Sequence, residues 1–370
     1  MSMDPNIVVR TPRTVRLLSP SPQTGSRWVA EDWATRRRYA LPLEAVVVLI
    51  RCFKPRRFGE LLRYMEADVG IPLSSARSLL GQLLKASLLR DATLPETPRE
   101  AWINHVQTEW PKWGWIESAE YHVATYDYQF VSSDESGLKE ALSRMNRYAA
   151  DEPDLNRSKS IKDAVKRIPM GAPKPADAPS TFEEVIAGTV PVGTLSKDRF
   201  LAALSISFNY TGTIPVPWKG APLFRRTSPS GGARHPSETY VLVRNIEGLP
   251  QGWYHLDFGA RVLELMREEK VDSAELVTLF PATYGRAPFP VAAIVIVTCV
   301  FERNMYRYRE PRTFRTVHMD AGHLIETFEL VCAANGIRCF TQYGNNDQAI
   351  EAKLGLNPLE EGYMLACAVG

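Results

Sequence analysis

The chain has 370 residues, 45% hydrophobic and 23% charged, which is the make-up of an ordinary soluble globular protein with room for two domains. Its formal net charge of +2 gives no global reason to expect a nucleic-acid or membrane partner, and no apolar run reaches the roughly 18 residues of a membrane span. The N-terminus has no apolar signal region, and the five cysteines (Cys52, Cys299, Cys332, Cys339, Cys367) are odd in number without a C-x-x-C pair, so they read as buried thiols of a cytoplasmic protein rather than as a disulfide frame or zinc site.

In chain order, residues 1–60 carry eleven Arg/Lys against five Asp/Glu. "FGELLRYMEA" and "PLSSARSLLGQLLKASLLRD" follow, two helices by their apolar spacing, joined by "DVGIP". In the second, Ser74 or Ser75 is the expected N-cap, and Leu79, Leu80, Leu83, Leu84, Leu88 and Leu89 the buried stripe. The pair resembles a helix-turn-helix inside a winged-helix-like domain over residues 1–95. Three uses are open to it: reading DNA through Ser74, Ser75 and Arg77, docking a peptide beside the helices, or packing alone beneath a basic surface. Residues 96–166 form a Trp-rich helical connection in which Trp102, Trp110, Trp113 and Trp115 are expected in an aromatic core. "LKEALSRMNRYAADEP" reads as an amphipathic helix ending before Pro153. The proline-rich stretch 167–180, "RIPMGAPKPADAPS", reads as a linker.

From residue 181 helices and strands alternate. "TFEEVIAGT" and "SKDRFLAALSISF" read as helices, "ETYVLVRNI" as a strand, and "GWYHLD" with "RVLELM" as a hairpin across "FGA". "SAELVTLF" is a helix, and "PVAAIVIVTCVF" is a strand apolar enough to be buried on both faces. "DAGHLIETFELVCAANG" is a helix with Asp320 near its N-cap and Gly336 as its stop. "IRCFTQ", "NDQAIEAKLG" and "GYMLACAVG" complete an α+β domain, a helix-flanked mixed sheet. Before its clearest strand stands "TSPSGGARHPSE" (227–238). Pro229 and the Gly231–Gly232 pair explain a turn, but not the flanking Arg225, Arg226 and Arg234.

The segment "RRTSPSGGARHPSETYVLVRNIEGLPQGWYHL" closely resembles the Pro-Ser-x-Gly block of SagB-type dehydrogenases, a branch of the flavin-dependent nitroreductase-like fold. A second block, "RNMYRYREPRTFRTVHMDAGHLIETFELVCAANGIR", resembles theirs in the same order and roughly the same spacing. The Trp-rich stretch is similar to that of a subgroup of peptide-maturation dehydrogenases. The resemblance implies a nitroreductase-like FMN-binding domain over 181–370 and a homodimer with FMN at the subunit interface. It also implies oxidation of an azoline of a ribosomal precursor peptide to an azole, next to a cyclase or other modifying enzyme. Turn residues Arg226, Ser228, Pro229, Ser230, Gly231, Gly232 and Ala233 would then bind the cofactor, the backbone N–H groups forming a concavity for oxygens and Arg226 pairing with phosphate.

Two positions depart from the family pattern. A Lys-Tyr pair is replaced by Arg307 and Tyr308. Arginine stays protonated, so Arg307 can orient substrate or stabilise negative charge, while Tyr308 must relay the proton. An Arg-Arg-Ser/Thr-x-Arg run that clamps the FMN phosphate and pyrimidine edge corresponds to "IAGTVPV" (186–192), with Gly188 and Thr189 where arginine and hydroxyl stand; each lost charge-assisted contact is worth about 1.5–3 kcal/mol. A flavin-free relative serving as a peptide-binding scaffold is the rival reading, and a DNA-binding regulator a weaker one. His318 and His323 are five apart with no third ligand, so no metal site is expected; His323 reads as a helix-start histidine. There is no G-x-G-x-x-G, Walker loop or G-x-S-x-G elbow.

Overall fold

A computed structural model describes residues 4–128, 130–151, 158–172, 179–218 and 221–370. The basic N-terminal stretch forms short strands: β1 (Val8–Arg10), β2 (Val15–Leu18), β3 (Trp28–Asp32) and β4 (Arg37–Leu41). After helix α1 (Leu43–Arg51), strand β5 (Arg56–Arg57) leads into α2 (Phe58–Ala67) and α3 (Leu73–Lys85), and β6 (Arg90–Asp91) follows. β5, β1 and β6 make one three-stranded sheet; β2, β3 and β4 make another. The spacing read from sequence places the two helices: Leu61, Met65, Leu80 and Leu83 are buried with Val48 and Leu49 of α1. Leu79 and Leu84 of the expected stripe are only partly buried, and Leu88 and Leu89 are buried beyond the helix end at Lys85. The expected Ser74 or Ser75 cap is not found. Pro72 is the cap residue, its hydrocarbon ring offers no acceptor to cap with, and the helix starts at Leu73, which leaves both serines inside the first turn.

The tryptophans divide. Trp33 is buried among Ile103 and Val106 of α4 (Pro98–Glu109) and Ala119 and Val123 of α5 (Ile116–Thr125), with Trp102 and Trp110 packed against them. Trp113 and Trp115, expected in the same core, are 82% and 56% exposed. Trp113 closes the tight 3-10 turn that follows α4 and is ended by Gly114 at φ +78°, and Trp115 comes after that glycine with its ring edge-on to Trp110 at 5.6 Å. The chain separates into compact units at residues 1–128 and 129–370, so α4 and α5 fold with the first unit rather than as a connection.

In the second unit, α6 (Glu135–Asp151) precedes β7 (Lys166–Pro169), which occupies the start of the stretch read as a linker; residues 173–178 of that stretch, and Pro153, lie outside the described residues. Then come α7 (Phe182–Ile186), α8 (Lys197–Phe208), a two-stranded ribbon of β8 (Tyr210–Ile214) and β9 (Leu223–Arg226), β10 (Ser237–Val243), and the predicted hairpin of β11 (Gly252–Asp257) and β12 (Val262–Glu268). They are followed by α9 (Ser273–Leu279), β13 (Ala293–Val300), α10 (Glu302–Arg307), α11 (Thr313–Ala334), β14 (Cys339–Gln342), α12 (Asp347–Leu354) and β15 (Glu361–Val369).

One seven-stranded sheet in the order β14-β15-β13-β10-β11-β12-β7 organises this unit. Its pairings among the described residues are all antiparallel, where a mixed sheet was expected. β10 and β13 lie at its centre, buried on both faces, β13 as its apolar composition predicts and β10 despite the Ser237, Glu238 and Thr239 at its start. Phe200, Leu204 and Phe208 of α8 and Leu324, Ile325 and Phe328 of α11 cover one face with Val241, Val295 and Val297. Leu276 and Leu279 of α9 and Ile350 and Leu354 of α12 cover the other with Leu242, Trp253 and Ile294. The five thiols are free, four of them buried. No helix among the described residues is long and apolar enough to cross a membrane, and no group of three or more His, Cys, Asp or Glu could hold a metal.

Helix α11 begins at Thr313, seven residues before Asp320. "TFRTVHM" has no breaker and continues the apolar face through Val317, so the helix extends backwards and Asp320 falls on its buried side instead of at a cap. Gly336 ends it as expected, at φ +65° just past the Asn335 cap.

Candidate functional site

The site is the junction of the 227–236 turn, α10 and the first half of α11. After β9 the backbone tightens into a single 3-10 turn at Gly231–Ala233, with φ +62° at Gly232 and +53° at Ala233. Packing leaves no room for side chains there. A Cβ on Gly231 would stand 2.4 Å from Thr316 Cγ2, and one on Gly232 would stand 2.1 Å from the Tyr308 hydroxyl. Two blocks about eighty residues apart in sequence are thereby in contact, and Tyr308 lies directly against the turn.

The turn does hold an anion, and that anion is Asp320. The Ser230 hydroxyl donates to its Oδ2 at 2.6 Å, and the Gly231 N–H lies 3.1 and 3.2 Å from its two oxygens. Burial raises the Asp320 carboxyl above the usual range, while Ser230 and Gly231 pull it back. The His235 N–H donates to Ser230 Oγ at 2.9 Å, closing the loop on itself. The backbone donors read from sequence as a cradle for an external oxygen are thus partly committed to a side chain of α11.

Beneath the turn, charges are buried. Arg226 is 9% exposed, with its guanidinium 3.8 Å over the Phe258 ring and one weak bond to the Ser237 carbonyl at 3.4 Å. Burial pushes it down to about 9, Glu238 opposes this and Arg303 adds to it. It therefore stays charged at neutral pH, but points inward. Ser228 is 3% exposed. His235 sits at φ +47° with Nε2 3.0 Å from the Phe224 carbonyl; burial and then the Arg226 charge push its ring down to about 3, so it is neutral.

Arg303 ties α10 to this floor. Its Nη1 donates to the His235 carbonyl at 3.1 Å, its Nη2 pairs with Glu238, and the Arg234 Nε donates to the Arg303 carbonyl at 2.7 Å. Glu238 also meets His255 Nε2 at 2.9 Å, and His255 Nδ1 meets Glu264 at 3.1 Å. Burial raises the Glu238 carboxyl, but Arg303 and His255 outweigh it and hold it down at about 2.

On the outer side of α10 lies an apolar cleft of about 600 Å³, with walls that include Phe301, Met305, Tyr308, Pro311, Phe314 and Val317. Arg307, half-buried, sits at its edge with the guanidinium 5.4 Å over the Tyr308 ring and 5.7 Å over Trp218. The structure therefore brings Tyr308 to the Gly231–Gly232 turn, while Arg307 is placed over the Trp218 and Tyr308 rings. It does not bring Thr189: its N–H and hydroxyl both bond the Glu184 carbonyl, closing α7. His323 is exposed within α11 rather than at a helix start. Arg303, Glu238 and Asn304 are missing from the site residues expected from sequence, and Asp320 figures among the expectations only as a helix cap. The one signal for Asp320 was a carboxylate on the apolar stripe with Val317, Ala321 and Leu324, a place that demands donors from elsewhere.

A helix-flanked antiparallel sheet with a Ser-Gly-Gly turn latched to its long helix defines an α+β domain of the nitroreductase-like class. Residues 187–370 match the nitroreductase family and form a nitroreductase family domain. Over 187 residues the chain is 32% identical to the trifolitoxin-processing protein TfxB of Rhizobium leguminosarum bv. trifolii, covering 47% of each. The chain spans about half the length of the curated relatives it matches. Among solved structures it is similar to the E. coli microcin synthetase McbBCD complex with truncated pro-MccB17 bound (17% identity, 73% of this chain and 96% of that one, TM-score 0.39). It is also similar to a protein of Exiguobacterium sibiricum solved in complex with FMN (12% identity, 52% and 88%, TM-score 0.32).

The residues present fit a flavin in their chemistry. The cleft is lined by the rings of Phe301, Phe314 and Tyr308, Arg307, Arg309, Arg312 and Arg315 follow one another from the end of α10 into the start of α11, and Asn304 carries a buried carboxamide with no bonded partner among the described residues.

Proposed function

We propose that this chain is a SagB-type, FMN-dependent dehydrogenase that oxidises an azoline of a ribosomally made peptide to an azole, working as a homodimer beside a cyclase or other modifying enzyme. The observation that carries the reading is the packing of the Tyr308 hydroxyl against Gly232, at the mouth of an apolar cleft within a nitroreductase family domain. The likeness to a trifolitoxin-processing protein of Rhizobium supports the substrate class.

When bound, FMN supplies a two-electron acceptor. Pro229, Gly232 and the half-exposed Ser230, Gly231 and Ala233 are the turn positions that would contact it, and the Arg307–Arg315 run offers the cations for its phosphate. Arg226 and Ser228 support the turn from below. Tyr308 would relay the proton that leaves the substrate carbon to water at the open side of the cleft, and Arg307 would stabilise negative charge developing beside it.

Thr189 favours a second reading. Its hydroxyl is bound to the end of α7, and the segment 186–192 presents no arginine, so the chain could instead be a peptide-binding scaffold for a partner enzyme. One experiment separates them. An absorbance spectrum of the purified protein, repeated on the supernatant after heat denaturation, reports released flavin; the protein is then given its azoline-bearing peptide. A yellow protein and a mass loss of two hydrogens support the dehydrogenase. A colourless protein that FMN cannot load leaves the scaffold.

A further inference from the structure

Asn304 is 1% exposed on α10, yet neither its Nδ2 nor its Oδ1 has a hydrogen-bond partner among the described residues. Its backbone is committed, with its N–H to the Phe301 carbonyl at 3.1 Å and its carbonyl to the Tyr308 N–H at 2.8 Å, so the orphaned group is the carboxamide alone. The residue lines the apolar cleft beside Tyr308. Buried amides are normally paired, and an unpaired one marks a missing ligand or water. A water would suit a polar pocket, whereas this cleft is walled mainly by apolar groups such as Phe301, Met305, Phe314 and Val317, with Arg309, Glu310 and Thr313 as further polar lining.

The helix holding Asn304 is rigidly seated. Its neighbour Arg303 is locked between Glu238 and the His235 carbonyl, which limits how far Asn304 can turn towards another protein group. A carboxamide presents a donor and an acceptor side by side. Its complement is an edge with an N–H next to a C=O, as in a cyclic imide. A trans peptide bond points these two groups in opposite directions and could satisfy only one of them.

We infer that Asn304 is the group that reads the pyrimidine edge of FMN, its Oδ1 accepting from the ring N3–H and its Nδ2 donating to an adjacent ring carbonyl, in place of the arginine run absent from residues 186–192. This rests on the FMN reading above and names a residue for it.

The test titrates flavin-free protein with FMN and with 3-methyl-FMN, in which the N3–H is replaced by a methyl group, following flavin fluorescence and the visible spectrum. Wild-type protein is expected to bind FMN and to lose about tenfold to a hundredfold in affinity for the methylated flavin. Asn304→Ala is expected to lose a similar factor for FMN, with no further loss on methylation. Should the variant fold poorly, the comparison of the two flavins on wild-type protein stands alone. Equal affinity of the wild type for both flavins, or unchanged FMN affinity in Asn304→Ala, overturns the assignment and leaves the FMN reading in place. Binding of neither flavin by wild-type protein overturns both.

Discussion

Replacing His255 with Gln tests how the floor of the site is held together. The ring is fully buried between two carboxylates, Nε2 2.9 Å from Glu238 and Nδ1 3.1 Å from Glu264, so as an imidazolium it donates at both ends. Burial alone would push it down, but the bonds to Glu238 and Glu264 outweigh that and hold it up at about 9. A folded-state value above the unfolded one means that the stabilisation is fully present below the unfolded value of about 6.5 and is lost as pH rises through about 9. The size of the shift corresponds to about 3 kcal/mol. Glu238 works in the opposite direction. Held down at about 2, it contributes above about pH 4.5 and loses that contribution as pH falls towards 2. Stability should therefore peak between about pH 4.5 and 6.5. Urea unfolding from pH 6 to 10, read as the difference between wild type and variant, cancels other groups that titrate at high pH. His255→Gln should cost about 3–5 kcal/mol at pH 6, as expected for one partner removed from a buried pair, and the gap should close towards pH 10. A pH-independent gap, or no gap, would refute the reasoning.

Gly232→Ala should lose about 1–2 kcal/mol from the left-handed backbone and from overlap with the Tyr308 hydroxyl, and adding Tyr308→Phe should recover part of the unfolding midpoint because it removes the clashing oxygen. Asp320→Ala strands the Ser230 hydroxyl and Gly231 N–H and should cost about 2–4 kcal/mol, whereas Asp320→Asn, which keeps an acceptor for Gly231, should cost less than half of that in the same melts. Trp113→Ala and Trp115→Ala should each move stability by less than about 0.5 kcal/mol, while Trp33→Ala should cost about 3–5 kcal/mol by calorimetry.

Periodicity and turn chemistry carried most of the fold. The apolar run at 293–300, the hairpin 252–268 and the α2–α3 pair are where local pattern and burial agree, so the elements form where the spacing puts them. What was illegible depends on distance along the chain. Nothing near Asp320 tells that its donors lie ninety residues away at Ser230 and Gly231, so the nearest local explanation, a helix cap, is the wrong one. Trp113 and Trp115 fail for another reason. Hydrophobicity predicts burial on average, but the 3-10 turn that ends at Trp113 and the left-handed Gly114 after it set where these two rings emerge. Arg226 shows the same limit, since a guanidinium beside a glycine turn suits either a phosphate outside or an aromatic ring within, and Phe258 takes it.

The position of Asp320 changes how the turn should be understood. A Ser-Gly-Gly turn whose donors all faced outwards would be free to hold an anion, but it would also be free to move. Here Ser230 and Gly231 give donors to α11, Gly232 yields its side-chain space to Tyr308, and Arg303 fastens α10 to the carbonyl of His235 at the turn's far end. Each of the three elements is held by the other two, with the Glu238–His255–Glu264 chain anchoring Arg303 into the sheet. Such mutual fixing places reactive groups within small tolerances, which a site built on loops lacks unless its supports are locked. The turn therefore acts first as a latch that joins Tyr308 at the end of α10 to Asp320 of α11.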